Sequence, residues 1–418
     1  MRLRREHAPA PVRAVHLGLG GFHRAHQAWY TAADPEWGIA AYTFRSTALP
    51  RALGEQGGLY SLLVRGAAGP AVRTVASISR AHPGGDVERW LADLADPEVA
   101  LVTLTVTEAA YRPSAPGEDS ALARLVAGLR ARFRRCAAPI TLVPCDNVPA
   151  NGDVLRTALR ASIPASEAAF AAWAETGVSI ASTVVDRITP ATTAEDVRAA
   201  RELTGVHDAV PVVTEPFAEW LIAGGFAAGR PRWERAGARF TGSVDEHQRR
   251  KLWLLNGAHT LLAYAGPARG RSSVREAVDD DVLAGLVESW WDTASRHLAL
   301  PAAELAEYRE RLRRRFAAPA IEHRLRQIAA DGSQKIPARV LPVLRAERAA
   351  GRLPEAAVAV LAAWTAHLRT GEVRDARAAE LVRLAASGAR APLAELDPEL
   401  GADDELVAAI DAELGRFS

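Results

Sequence analysis

The stretch Val12–His26, VRAVHLGLGGFHRAH, decides the fold. An apolar run rich in valine, VRAVHL, meets three glycines, Gly18, Gly20 and Gly21, and is followed by HRAHQAWYTAA, a segment compatible with a helix. Strand, glycine turn and helix in that order bring backbone N–H groups to a helix N-terminus, where a pyrophosphate can be held. His23 occupies the third position of the G-x-G-x-x-G pattern. The motif is therefore a departed one, and a plain tight turn is the alternative reading.

The pattern repeats downstream. Apolar, β-branched runs stand at IAAYTF (39–44), VALVTLTVT (99–107), ITLVP (140–144), VSIASTVV (178–185) and VPVVT (210–214). Amphipathic stretches such as DVERWLADLA and SALARLVAGLRARF lie between several of them, which predicts βαβ units and a mainly parallel sheet. From about Asp245 the texture changes to Ala/Leu/Arg/Glu stretches of helical period, among them VLAGLVESWWDTASRHLAL and PEAAVAVLAAWTAHLRT. The expectation is an α/β fold: a Rossmann-like domain over 1–245, then a mostly α-helical C-terminal domain over 246–418.

Composition narrows the partners. With 51 Lys plus Arg against 50 Asp plus Glu, the formal net charge is +1, so bulk charge supplies no pull toward nucleic acid or an anionic membrane. No apolar run reaches the roughly 18 residues of a membrane span. The N-terminal MRLRREHAPAPVR is basic without an apolar core, and the expectation is cytoplasmic. Cys136 and Cys145 are the only cysteines, too few for a disulfide framework and without the Cys/His spacing of structural zinc.

Ligands on open α/β sheets collect beyond the carboxyl ends of strands. Those ends deliver Thr107 and Glu108, then Asp146 and Asn147, then Asp186 and Arg187, and finally Glu215. Each has a structural alternative: Asp146, Asn151 and Asp153 as turn or N-cap residues, Asp186 with Arg187 as an ion pair. The second strand would end in an acid if it gripped an NAD ribose, but YTFRST offers Arg45. Arg45 suits an adenosine 2′-phosphate or the wall of an adenine pocket, so NAD and NADP both stay open.

Lysine and asparagine are scarce. Only Lys251 and Lys335 are lysines, and only Asn147, Asn151 and Asn256 are asparagines. RRKLWLLNGAH (249–259) contains one lysine and one asparagine beside two arginines. Arginine keeps its proton at any accessible pH, whereas lysine in a dry site can lose one and act as a base. At about 100° per residue an α-helix sets Lys251, Asn256 and His259 near 0°, 140° and 80°, on one side. A solvated polar stripe is the alternative, though surface stripes in this chain use arginine.

GLGGFHRAH, TLTVTEAAY, CDNVPANG, VVDRITP, VVTEPF, KLWLLNGAH and DGSQKIPAR follow one another in the order and approximate spacing of the polyol-specific long-chain dehydrogenases, the family of mannitol 2-dehydrogenase and fructuronate (mannonate) reductase. The resemblance runs from about residue 14 to 345. It implies an NAD(P) domain, with NAD the first expectation and NADP an option, held by Gly18, Gly20, Gly21, Phe22, Arg45 and Thr107. It implies catalysis without metal: Lys251 as general base, Asn147 and Asn256 on the reacting oxygen, and His259 beside them. Asp186, Arg315, His323 and Lys335 are the implied substrate-binding residues, and Glu108 lies on the implied proton path. Ala318 stands where the family often has asparagine in R-F-x-N-P. The implied reaction interconverts the C2 alcohol of a polyol with a ketose. A keto-uronate such as fructuronate is the alternative, with Arg315 or Lys335 on its carboxylate, and an inactive nucleotide-binding sensor is the reading outside enzymes. The implied partners are a small polyol, ketose or keto-uronate, with no nucleic acid or membrane, in a monomer or weak oligomer.

Overall fold

The computed structural model describes residues 2–66, 69–111, 120–318 and 323–417. The chain divides into two compact units, Met1–Asp245 and Glu246–Ser418.

In the first unit, β1 (Val12–Leu17) leads through α1 (Gly21–Ala25) and α2 (Gln27–Thr31) to β2 (Gly38–Tyr42). After α3 (Ala48–Glu55) come β3 (Tyr60–Gly66), β4 (Gly69–Val75) and β5 (Ile78–His82). Then α4 (Val87–Ala95), β6 (Leu101–Leu104), α5 (Ala121–Arg135), β7 (Ile140–Pro144), α6 (Asn151–Ala161) and α7 (Ala168–Gly177) lead to β8 (Val178–Ile180). The six-stranded sheet has the order β5-β2-β1-β6-β7-β8 and is parallel throughout. This is the doubly wound order, and its direction reverses between β1 and β6, where the register pairs Val15 with Val102 and Leu17 with Leu104.

Both sheet faces are covered, so the strands read as nearly continuous apolar runs. Val15, Leu17, Val102 and Leu142 pack on one face with Trp90 and Leu94 of α4 and Leu125 and Leu129 of α5. Ala14, Ile39, Leu101 and Val143 pack on the other with Ala25 and Ala28 of the first two helices.

The expected α/β class holds, with four differences of detail. VALVTLTVT pairs only over Leu101–Leu104 before it leaves the sheet. VSIASTVV breaks at Ala181, and its second half, β9 (Ser182–Asp186), joins another sheet. There it runs antiparallel to β11 (Glu219–Ala223), with β12 (Arg239–Phe240) at the edge. VPVVT yields β10 (Val212–Thr214), which pairs with β3 in a third sheet rather than with the main one. Strands β3 to β5 are absent from the sequence reading because β4 is largely exposed and β5 carries Arg80 and His82. Polar outward faces remove the apolar signal that the period-two pattern relies on.

The second unit is helical. Helix Glu355–Arg369 (EAAVAVLAAWTAHLR) is apolar on nearly every face, and twelve of its residues are buried. The nine residues of helix Gly257–Ala265 are all buried as well. Two such all-round apolar helices occupy the core, with Trp290, Trp291, Tyr308 and Leu312 from helices Asp281–Ser295 and Ala302–Phe316 packed there.

Candidate active site

Gly18 adopts φ +110°, and a Cβ there would lie 2.1 Å from the Thr105 carbonyl oxygen. Only glycine lets the turn after β1 approach the end of β6 so closely. The Gly18 and Leu19 N–H groups donate to the Tyr42 carbonyl at 2.9 and 2.8 Å, tying this turn to β2. Gly20, in extended backbone, precedes α1; a Cβ added there would meet only the Gly18 carbonyl, at 3.7 Å, and Gly21 has ordinary space. The cradle stays open for a ligand phosphate to approach backbone.

The departure at His23 has a structural explanation. Its ring is fully buried and stacks on His16 of β1, centroids 3.4 Å apart and planes 13° from parallel. The third glycine of the usual pattern serves close helix–strand packing; here two flat imidazoles fill the helix–strand gap. His16 is held by the hydroxyls of Thr103 and Thr105 at 2.8 and 3.1 Å. Burial pushes His16 down to about 3 and His23 well below the ordinary histidine value, so both rings stay neutral. Phe22, half-buried, stacks on His26 at 5.1 Å.

Beside the glycine turn, a cavity of about 190 Å³ is lined by Leu17, Tyr42, Val87, Trp90, Ala123 and Arg124. It is almost wholly apolar and sits against β1, β2, α4 and α5, a setting that suits a flat heteroaromatic base. Arg124 lies over Phe44 at 4.6 Å. Arg45 is exposed in the segment after β2, and Thr107 is exposed beyond β6. Open glycine cradle, apolar slot and switch-point topology together fit a dinucleotide. Glu108 opens the short turn Glu108–Tyr111, and its side chain lies outside the described residues.

At the end of β7 the buried Asp146 accepts hydrogen bonds from the Val106 N–H and the Tyr111 hydroxyl. One carboxyl group thus ties the segment leaving β6 to β7. Burial raises its pKa to about 7, against the opposing effect of those two donors. The next residue, Asn147, is exposed. Asn151 corrects the turn or N-cap reading: its amide donates to the Pro144 and Thr183 carbonyls at 3.2 and 3.1 Å and accepts from the Thr183 N–H at 3.0 Å. It clamps β7 to β9. Asp146 is likewise a clamp rather than a cap. Asp186, buried, ends β9, while Arg187 donates to the carbonyls of Ala25 and Glu215 and lies over Trp29 at 4.5 Å. Glu215 accepts from the Ile188 N–H at 2.6 Å.

In the second unit, Lys251–Asn256 is not an α-helix but a π turn, in which the Gly257 N–H reaches the Leu252 carbonyl. The 140° expected between Lys251 and Asn256 is therefore corrected: with i→i+5 bonding, residue i+5 falls about one turn above residue i. The turn has two built supports. Trp290 and Trp291 donate their indole N–H groups to the Trp253 and Leu254 carbonyls at 2.7 and 2.8 Å. Gly257 lets Trp290 in, since a Cβ there would lie 2.6 Å from its Nε1.

Lys251 is 8 % exposed. The Asn256 amide nitrogen is buried and has no hydrogen-bond partner among the described residues. His259 stacks on Phe316 at 4.7 Å and meets the His323 ring edge-on at 4.9 Å. Burial holds His259 well below the ordinary value, helped by the positive fields of Arg315 and Arg339. His323 is lowered by burial and by Arg315 and Lys335. The structure thus gathers Arg315 and His323 around His259, with Lys335 beside His323, and adds Arg339, which the sequence reading passed over. A signal for it stood in DGSQKIPAR, four residues after Lys335 and on the same helix face.

Family models described as the mannitol dehydrogenase Rossmann domain and the mannitol dehydrogenase C-terminal domain match residues 12–235 and 243–413. D-mannonate oxidoreductase of Escherichia coli (strain K12) is 35 % identical over 374 residues, 81 % of this chain and 76 % of that protein. D-arabinitol 4-dehydrogenase of Ralstonia nicotianae (strain ATCC BAA-1114 / GMI1000) is 36 % identical over 392 residues, 85 % of this chain and 82 % of that one. The solved Pseudomonas fluorescens mannitol 2-dehydrogenase, a ternary complex with NAD and D-mannitol, superposes with a TM-score of 0.82 at 30 % identity, covering 97 % of this chain and 92 % of its own.

Proposed function

The chain belongs to the mannitol dehydrogenase family of oxidoreductases, and on that premise we propose that it interconverts a secondary alcohol of an acyclic polyhydroxy substrate with the ketone, using NAD and a lysine base in place of a metal. The observation that carries this reading is the π turn, which holds a buried lysine and an asparagine whose buried amide nitrogen lacks a partner among the described residues. A buried donor left unpaired is costly unless a ligand atom answers it.

NAD bound at the glycine turn would supply the hydride acceptor. Backbone at Gly18, Gly20 and Gly21, with Phe22, Arg45 and Thr107, would hold it, its adenine in the slot beside Tyr42 and Arg124. Lys251 takes the hydroxyl proton; removed from water, a lysine is more readily neutral, as arginine is not. The Asn256 amide, with Asn147 assigned by the family motif as its companion, stabilises the partial alkoxide by on the order of 3 kcal/mol per donor. In ketone reduction the same groups polarise the carbonyl, and Lys251 returns the proton. His259, Asp186, Arg315, His323 and Lys335 orient the substrate, and Glu108 passes the released proton outward.

Nicotinamide absorbance, followed with D-mannitol, D-arabinitol and D-mannonate in the presence of NAD, tests the reading. Turnover of at least one, abolished by Lys251→Ala, is expected. No turnover of any of the three overturns it.

A further inference from the structure

His16, wholly buried, stands opposite Thr103 in the pairing of β1 with β6, and Thr105 follows just past the end of β6. Three side chains and one peptide form a line there. Thr103 Oγ1 lies 2.8 Å from His16 Nδ1, His16 Nε2 lies 3.1 Å from Thr105 Oγ1, and the Thr105 hydroxyl donates to the Gly18 carbonyl at 2.8 Å. A hydroxyl has one hydrogen and a carbonyl only accepts, so that hydrogen is spent on Gly18. Thr105 must then accept from His16, which puts the imidazole proton on Nε2 and leaves Nδ1 to accept from Thr103. His23 of α1 lies flat on the ring and fixes its plane. The line ends at the peptide between Gly18 and Leu19. Gly18, at φ +110°, has no Cβ to hold this peptide in one orientation. Its carbonyl is held by Thr105 and its N–H, that of Leu19, by the Tyr42 carbonyl at 2.8 Å.

Resting on the cofactor reading above, we infer that His16 and Thr105 are positioning residues for the dinucleotide: their one-way line of hydrogen bonds keeps the Gly18 carbonyl turned toward β6 and away from the pyrophosphate. A carbonyl oxygen carries partial negative charge, and turned the other way it would face an anion. The missing Cβ that lets backbone come close to a phosphate also makes that turn easy. Molecules with the peptide turned do not bind, so the apparent affinity falls with the competent fraction. A neutral imidazole suits the task because it has one donor and one acceptor nitrogen and so gives the line its direction. An imidazolium would donate from both nitrogens and force the Thr103 hydroxyl around. Burial, which pushes His16 down to about 3, keeps the ring in its one-donor form. Both residues act through Gly18 rather than by touching the dinucleotide.

Calorimetric titration of the full chain with NADH reads the effect. Thr105→Val keeps the shape of the side chain and removes the hydroxyl, so its Kd for NADH should rise about 10-fold, the scale of one buried hydrogen bond left unmade. Thr105→Ser restores the hydroxyl and should stay within about threefold of the wild type. His16→Phe keeps a ring against His23 but has no N–H; it should raise Kd by a similar factor, and it answers the same question should Thr105→Val fail to fold. A purely structural role would lower the melting temperatures of these variants and leave Kd, measured well below them, unchanged. Heteronuclear NMR of the histidine-labelled wild type should show His16 protonated at Nε2 and bare at Nδ1 from about pH 5 to about pH 8. A His16 protonated at Nδ1, or a Kd in Thr105→Val or His16→Phe within about twofold of the wild type, overturns the inference and leaves the cofactor reading in place. Absence of NADH binding by the wild type overturns the cofactor reading, and the inference with it.

Discussion

Lys251 shows how much one side chain can carry. Its two preceding neighbours are arginines, it is only 8 % exposed, and a permanently charged guanidinium in its place cannot accept a proton. Lys251→Arg should therefore lower kcat on the order of 10²–10⁴-fold with a smaller change in KM, as for loss of a general base. Steady-state kinetics with the preferred substrate would read this, and near-normal kcat in the variant would remove the lysine from the mechanism. Asp146 acts on stability. Burial raises its carboxyl above the ordinary 3.8, so the native state keeps a proton that the unfolded chain releases. Its contribution is complete below that ordinary value and is lost as pH rises through about 7. Asp146→Asn stays neutral and should gain stability relative to the wild type between about pH 5 and about pH 8, as thermal melts at both would show. Parallel changes in the two proteins would count against the buried carboxyl. These residues differ in legibility. Lys251 stood out because the chain uses lysine twice, while the role of Asp146 depends on Val106 and Tyr111, 40 and 35 residues away.

At the scale of elements, the π turn is the decisive local feature, and its stability comes from a different helix. The indole N–H groups of Trp290 and Trp291 satisfy carbonyls inside the turn, so Trp290→Phe leaves the Trp253 carbonyl without its donor. The cost should be about 1–3 kcal/mol, with kcat reduced more than KM because the turn sets Lys251 and Asn256 relative to each other. Denaturant melts and kinetics on the same variant test both parts. Stability lost with kcat intact would show that the turn is scaffold alone. KLWLLNGAH itself reads as ordinary helix, since nothing in its residue types announces i→i+5 bonding. In the same way VSIASTVV reads as one strand, and only the placement of β11 beside its second half divides it between two sheets.

For the whole molecule, no helix among the described residues is long and apolar enough to cross a membrane. Nor do the described residues contain a group of three or more His, Cys, Asp or Glu side chains placed to hold a metal ion. With a lysine as base, dialysis against a chelator should leave turnover within about twofold of the untreated enzyme, where a metal-activated alcohol would lose it. Loss of activity restored by a divalent cation would overturn the lysine mechanism. NAD, binding the native chain, should raise its melting temperature, by the equivalent of about 2.7 kcal/mol at roughly 100 times its Kd.

The sequence by itself determined the fold class, a mainly parallel α/β unit followed by a helical one. Alternating apolar runs and amphipathic stretches up to residue 245, then helical periodicity, are properties of burial along each segment, and burial is written locally in residue type. It also determined which residues to watch, because scarce lysines and asparagines carry information in a chain that otherwise uses arginine. Only the tertiary structure decided the rest: the imidazole stack that replaces a glycine, the clamps made by Asp146 and Asn151, and the π turn braced by two tryptophans. Each depends on groups from different elements meeting in space, and the energy of an unpaired donor or charge depends on whether a partner arrives there. That partner is supplied by the fold, which no stretch of residues contains on its own.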